Sequence, residues 1–207
     1  MRTGILGGSF NPVHNGHIAI ARGMTEHNVV DEVALMVSPQ NPIKPISSLL
    51  PENVRLLLAQ MACKGEKNIF ASDFEFSLAR PSYTWNTLRS LRKSFPEKEF
   101  VLLIGADNWK IFSQWRNNKD IINNFEIAIY PRAGFTVSKS SLPPKVKYVD
   151  MPLYNISSTE IRDKISLGED VSEYLPHAVY SEIKSKRYFR THSRTVCNSD
   201  GCKNKPL

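Results

Sequence analysis

Short apolar runs alternate along most of the chain with stretches in which apolar residues recur every three or four positions. The runs at 3–6, 32–37, 69–71, 100–104, 125–130 and 147–149 are rich in Val, Ile, Leu and Phe and are bounded by Gly, Pro, Asn or Asp, which predicts strands. Helical spacing predicts helices over 16–27, 52–64, 83–94, 158–167 and 176–186, with Pro176 at the first position of the last. Residues 106–122 read as a broken helical region. Strands separated by helices of this length imply an α/β fold, a doubly wound parallel sheet of Rossmann-like type with helices on both faces. The Pro-rich stretch 38–51 is a long connection, and such loops in compact domains often carry function. Residues 138–144 read as a surface loop, and no internal repeat is visible.

Composition narrows the class without naming it. The 207 residues suffice for one well-buried core and are few for two, so 1–190 is expected to be a single domain. From 191 to 207 the chain is polar and basic and is expected to be a poorly ordered tail. No run approaches the roughly 18 apolar residues of a membrane span, and no charged-then-apolar leader precedes the first strand. Cys63, Cys197 and Cys202 cannot make a disulfide framework, so a cytoplasmic, reducing compartment is expected. Cys63 lies in an apolar helical stretch and reads as a small core residue. Cys197 and Cys202 lack the second ligand pair of a structural zinc site. A net charge of +7 favours anionic partners, nucleic acid or phosphorylated metabolites. Part of that excess lies in the tail, so charge alone locates no site.

The string Gly7-Gly8-Ser9-Phe10-Asn11-Pro12-Val13-His14-Asn15-Gly16-His17 joins the first predicted strand to the first predicted helix. In an open parallel sheet, ligands bind beyond the carboxyl ends of the strands, where such a loop lies. Glycines let backbone N–H groups approach an anion, and the helix N-terminus adds partial positive charge. The string is a phosphate cradle, yet it is neither a Walker A loop nor a GxGxxG fingerprint. His17 leads the apolar stripe Ile20, Ala21, Met24, which should face the sheet and set His17 over the strand ends. Two imidazoles there can donate to phosphate oxygens and meet charge building on a transferring phosphorus. The plainer alternatives are structural capping and a zinc pair, for which no third ligand of suitable spacing is found. A later string, Ile156-Ser157-Ser158-Thr159-Glu160-Ile161-Arg162, opens a helix with a Ser cap, a start common to helices of every function.

Together the two strings resemble the HxGH nucleotidylyltransferase superfamily, in the form found in bacterial nicotinate mononucleotide adenylyltransferases. The resemblance runs from Arg2 to about Phe189. It implies that Gly8, Ser9 and Phe10 of the loop bind ATP, with His14 and His17 on its phosphates and at the transition state. It also implies that Ser158 and Thr159 hold the phosphates while Arg162 neutralises them. Lys44, on the long loop, matches a basic residue that reaches the phosphates and the second substrate, although a surface Lys is commonly just solvated. Gly105-Ala106-Asp107 resembles a turn that contacts the adenosine half, and Asp107 is equally readable as an N-cap. In Pro81-Ser82-Tyr83-Thr84-Trp85-Asn86-Thr87-Leu88 and around Trp115, the resemblance points to Thr84 and Trp115 at the nicotinate ring, with packing under a loop as the alternative for Trp115. Trp85 departs from the usual aliphatic residue and reads as core.

The implied reaction joins ATP and nicotinate mononucleotide to give nicotinate adenine dinucleotide and pyrophosphate. The attacking phosphate is already an anion, so positioning and electrostatics suffice, with His14, His17, Lys44 and Arg162 as the catalytic set. No carboxylate cluster suggests a protein-held metal, so Mg²⁺ is expected to arrive with ATP. Rival acceptors are nicotinamide mononucleotide, phosphopantetheine, or a polyol phosphate with CTP. A rival of another class is a nucleotide- or RNA-binding module without catalysis. No RRM, KH or OB signature supports it, so neither nucleic acid nor membrane is an expected partner. A homo-oligomer is compatible with the sequence.

Overall fold

The computed structural model describes residues 1–40 and 49–190. Lys44 and the tail with Cys197 and Cys202 therefore lie outside the described residues. The strands are β1 (Arg2–Gly8), β2 (Glu32–Val37), β3 (Ile69–Ser72), β4 (Glu99–Gly105), β5 (Glu126–Tyr130) and β6 (Val146–Tyr148). They form one sheet in the order β3-β2-β1-β4-β5-β6, and every pairing is parallel. The chain first winds outward from β1 to β3, then returns to lay β4 on the other side of β1 and winds outward again. The connections leaving β1 and β4 thus diverge, and a crevice opens at their carboxyl ends.

The predicted helices are present with ends shifted by a residue or so: α1 (Asn15–Glu26), α2 (Glu52–Cys63), α3 (Thr84–Ser94), α6 (Ser158–Ser166) and α7 (His177–Lys186). Pro176 is the cap before α7, not its first residue. The broken region resolves into α4 (Ala106–Lys110), a 3₁₀ turn at Phe112–Gln114 and α5 (Asn118–Asn124). Further 3₁₀ turns at Phe74–Ser77, Lys139–Ser141 and Ser172–Tyr174 carry no pattern the sequence reading could use. None of the described helices is long and apolar enough to cross a membrane.

Both faces of the sheet are buried, which explains why the strands read as continuous apolar runs. Alternate residues still divide between two cores. Leu6, Val33, Leu35, Val37, Val101 and Leu103 face one core, with Met24 of α1, Leu58 of α2, Ile161 of α6 and Val179 of α7. Ile5, Ala34, Met36, Leu102, Ile104 and Ile127 face the other, with Leu88 of α3 and Ile121 of α5. Ile20, Ala21 and Met24 are buried as their spacing predicts, and each large side chain so buried is worth about 1.5–3 kcal/mol of transfer free energy. Cys63 is core, its thiol pushed up to about 12 mainly by burial. Trp85 packs against the second core, edge-on to Phe125 at 6.2 Å.

Candidate active site

β1 ends at Gly8, and the six residues before α1 make the loop on which the site is built. Phe10 has φ of 45°, a left-handed conformation that costs a residue with a Cβ about 1–3 kcal/mol. Its surroundings impose that conformation. On one side Leu50 N–H donates to Asn11 Oδ1 (3.0 Å), and Arg55 donates to Ser9 O (2.7 Å). On the other, Ser158 Oγ donates to Pro12 O and Arg162 Nη1 to Asn11 O, each at 2.9 Å. Arg162 also donates to Thr159 Oγ1 at 3.3 Å. Ser157 is the helix cap, accepting from Glu160 N–H at 3.1 Å. That leaves Ser158 to face the loop. The two strings separated by about 140 residues are thereby joined in space.

His14 caps α1 in extended conformation and is 2% exposed. Its ring stacks on that of His17, with centroids 3.7 Å apart, and Phe10 meets His17 edge-on at 4.9 Å. His17 Nδ1 accepts from the His14 backbone N–H at 3.2 Å. In the neutral ring this puts the proton on Nε2, a donor. Burial, aided by the positive charge of Arg132, pushes the His14 pKa down to about 3, so the ring is uncharged at neutral pH. The glycine between the histidines has a steric reason: a Cβ on Gly16 would sit 3.1 Å from His14 Nδ1.

Buried side-chain polar atoms without a hydrogen-bond partner are uncommon in folded proteins. Among the described residues they gather at one edge of this molecule. Ser9 Oγ and His14 Nδ1 follow β1, Asp107 Oδ1 and Trp115 Nε1 follow β4, and Arg132 Nε follows β5. All lie beyond the carboxyl ends of the strands. Asp107 Oδ1 and Arg132 Nε face each other at 3.7 Å, just outside hydrogen-bond range. A Cβ on Gly105 would overlap Asp107 Oδ1 and come within 3.0 Å of Arg132 Cγ, so this approach requires the glycine. Gly105 itself caps α4, which removes the capping alternative for Asp107.

Thr84 is the first residue of α3, and Trp115 closes the 3₁₀ turn after α4. Their neighbours touch, with the Arg116 guanidinium over the Tyr83 ring at 4.8 Å, so these distant segments share one end of the crevice. Trp115 leans on Phe112 at 5.2 Å. One turn further along α3, Thr87 Oγ1 donates to the buried Glu75 at 2.7 Å. Burial pushes the Glu75 pKa up against the pull of that hydroxyl.

The sequence pattern of the cytidylyltransferase-like family matches residues 5–164. A Bacteroides fragilis protein named "Probable nicotinate-nucleotide adenylyltransferase" is 47% identical over 88% of this chain and 90% of its own length. The chain belongs to that family. A Flavobacterium johnsoniae protein of the same name is 37% identical over 92% of this chain and all of its own. The fold agrees with a solved Plasmodium falciparum nicotinic acid mononucleotide adenylyltransferase complexed with NaAD: TM-score 0.79, 20% identity, 91% of this chain and 97% of that one.

The structure joins the loop of Gly8, Ser9, Phe10, His14 and His17 to Ser158, Thr159 and Arg162. It sets Gly105 and Asp107 beside Arg132, whose charge reaches His14, and carries Thr84 and Trp115 on two segments that meet through Arg116 and Tyr83. Three residues escaped the sequence reading. Arg132 follows β5 at the carboxyl edge, a positional signal that could have found it. Arg55 gave none, because an isolated charge in a helical pattern reads as a solvated face, and Glu75 lies in a 3₁₀ turn that no periodicity marks.

Proposed function

We propose that this member of the family transfers the adenylyl group of ATP to nicotinate mononucleotide, giving nicotinate adenine dinucleotide and pyrophosphate, a step of NAD biosynthesis. The observation that carries the reading is the stacked histidine pair on a glycine-rich loop, braced by Ser158 and Arg162 of α6. ATP is taken as its Mg²⁺ complex. Among the described residues no three of His, Cys, Asp and Glu gather to hold a metal ion, so the ion is proposed to ride on the triphosphate.

In the proposed reaction a phosphate oxygen of the mononucleotide attacks the α-phosphorus in line. The bond from that phosphorus to the β-bridging oxygen breaks, and pyrophosphate leaves with the electron pair. The nucleophile is anionic, so no side chain needs to take a proton. Gly8, Ser9 and Phe10 supply the cradle, with Ser158 and Thr159 at the phosphates. His14, His17 and Arg162 meet the growing negative charge as donors already fixed in place. The Arg162 fork has five donors, so bracing the loop and meeting a phosphate are compatible. Lys44, outside the described residues, is proposed at the phosphates on the strength of the resemblance. Gly105 and Asp107 take the adenosine half, and Arg132 beside them adds positive charge near His14. Thr84 and Trp115 take the nicotinate ring, with Arg116 near by. We place the protein in the cytoplasm, with residues 1–190 as the catalytic domain.

Nicotinate and nicotinamide differ by a carboxylate against an amide of the same shape, so selection rests on hydrogen-bond polarity. A pocket of donors leaves groups unpaired against the amide's NH₂, a costly mismatch. Pyrophosphate release from ATP, measured with each rival acceptor in turn, tests the reading. A kcat/KM preference of at least about 10²-fold for nicotinate over nicotinamide mononucleotide is expected. Equal values would make the enzyme dual-specific, and no acceptor-dependent release would leave a binding module.

A further inference from the structure

Arg55 stands on the first turn of α2, 1% exposed, among the largest fully buried side chains of the described residues. Among the described residues, no carboxylate takes a hydrogen bond from it. Its guanidinium donates instead to backbone carbonyls: Nη1 to Ser9 O (2.7 Å) and Ser38 O (2.8 Å), Nη2 to Pro39 O (3.2 Å), and Nε to Leu50 O (2.9 Å). Burial pulls its pKa down. Glu52 is its charged neighbour, but its hydrogen bonds among the described residues all go to carbonyls. A buried cation so held is an expensive way to fill a core, and an apolar side chain of like volume is often as stabilising. What the planar fork supplies is direction, since its donors are fixed relative to one another.

Those donors tie three segments together: the phosphate loop at Ser9, the end of β2 at Ser38 and Pro39, and the chain entering α2 at Leu50. A ring closes through Asn11, whose Oδ1 accepts from Leu50 N–H at 3.0 Å. Ser38 N–H donates to Gly8 O at 2.9 Å, extending the β1–β2 ladder into the same knot. The Ser9–Phe10 peptide is trans, as only Asn11–Pro12 and Arg80–Pro81 are cis among described residues. Drawing Ser9 O toward α2 therefore turns the Phe10 N–H the opposite way, away from α2. The left-handed Phe10 and the histidines that follow inherit their placement from that peptide plane.

We infer that Arg55 is a positioning residue for adenylyl transfer: it touches no substrate but sets the orientation of the phosphate loop. The inference rests on the adenylyltransferase reading. Its test compares the unmodified full-length protein with Arg55→Lys, which keeps the charge without the fork, and Arg55→Met, which keeps the bulk without donors. Thermal unfolding, pyrophosphate release and calorimetric MgATP binding are measured on each. In folded Arg55→Lys, kcat should fall at least about tenfold, because small misplacements of reacting groups cost factors of this order. The KM for nicotinate mononucleotide should stay within about threefold, since its pocket is built on α3 and Trp115. MgATP alone should bind at least about fivefold more weakly, a readout that needs no acceptor and stands if the acceptor assignment fails. Arg55→Lys that unfolds at lower temperature yet keeps kcat and MgATP affinity would reduce Arg55 to packing and overturn the inference. Should Arg55→Met not fold, Arg55→Lys decides alone; failure of both to fold also overturns it, because Arg55 would then be a folding requirement.

Discussion

The two ends of the crevice are built differently. At the phosphate end, Ser9, Asn11 and His14 are buried, and hydrogen bonds of 2.7 to 3.0 Å from Arg55, Leu50, Ser158 and Arg162 fix the loop. At the other end, Tyr83, Thr84 and Trp115 are half-buried, their backbone bonds stay within their own turns, and the Tyr83 and Trp115 rings meet neighbours at 4.8 and 5.2 Å. If the chain transfers adenylyl groups as proposed, charge developing on phosphorus is met by donors already in place, which a stiff first end supplies. Stacking varies slowly with position, so under the same proposal the second end tolerates slack while hydrogen-bond polarity selects the acceptor. On the proposed function, damage to the first end should appear in kcat and damage to the second in the use of the acceptor.

The largest effect is expected from His17→Ala. Loss of a donor that tightens in the transition state should lower kcat roughly 10²–10³-fold and change ATP binding far less. Near-normal kcat with weak ATP binding would make His17 a ground-state ligand and erase the contrast between the ends. Trp115→Ala is expected to lower kcat/KM by a similar factor for nicotinate and nicotinamide mononucleotides, roughly tenfold or more for stacking worth about 1–3 kcal/mol. Thr84→Val should instead erode the preference between them. A ratio that moves with Trp115 and not with Thr84 would reverse the assignment.

His14 probes the stiff end through stability. Its folded pKa of about 3 lies below the unfolded value of 6.5, so the unfolded chain binds the extra proton first. This contribution to stability is intact above about pH 6.5 and is lost as pH falls toward 3. From this group alone, stability at pH 5 should be lower than at pH 8 by on the order of 2 kcal/mol. Denaturant unfolding of wild type and His14→Asn across that range measures it, because the variant should lack this part of the slope. Parallel pH profiles would mean that His14 is not held neutral by burial. The smallest effect is expected from a protein ending at Arg190, which should keep full turnover. Stoichiometric zinc in the full chain, lost with activity on truncation, would give Cys197 and Cys202 a role.

The order and kind of the elements were legible because each apolar run or stripe is a local pattern, as were both signature strings. His14 and His17 were recognisable as a pair, and Ser158 and Arg162 by resemblance. Local pattern could not say that Ser158 and Arg162 hold the carbonyls of Pro12 and Asn11, because that contact depends on how α6 packs into the first core. Nor could it reveal the neutral state of His14, which follows from burial against Gly16 and His17 and from the charge of Arg132. Arg55 and Glu75 were the least legible. A charged residue carries the same local signal in water or in the core, whether in the helical stretch around Arg55 or in the turn at Glu75, and only tertiary packing decides which it meets. The chain thus encodes locally its strands, helices and phosphate loop, while the brace around that loop arises when segments more than a hundred residues apart are pressed onto the same strand ends.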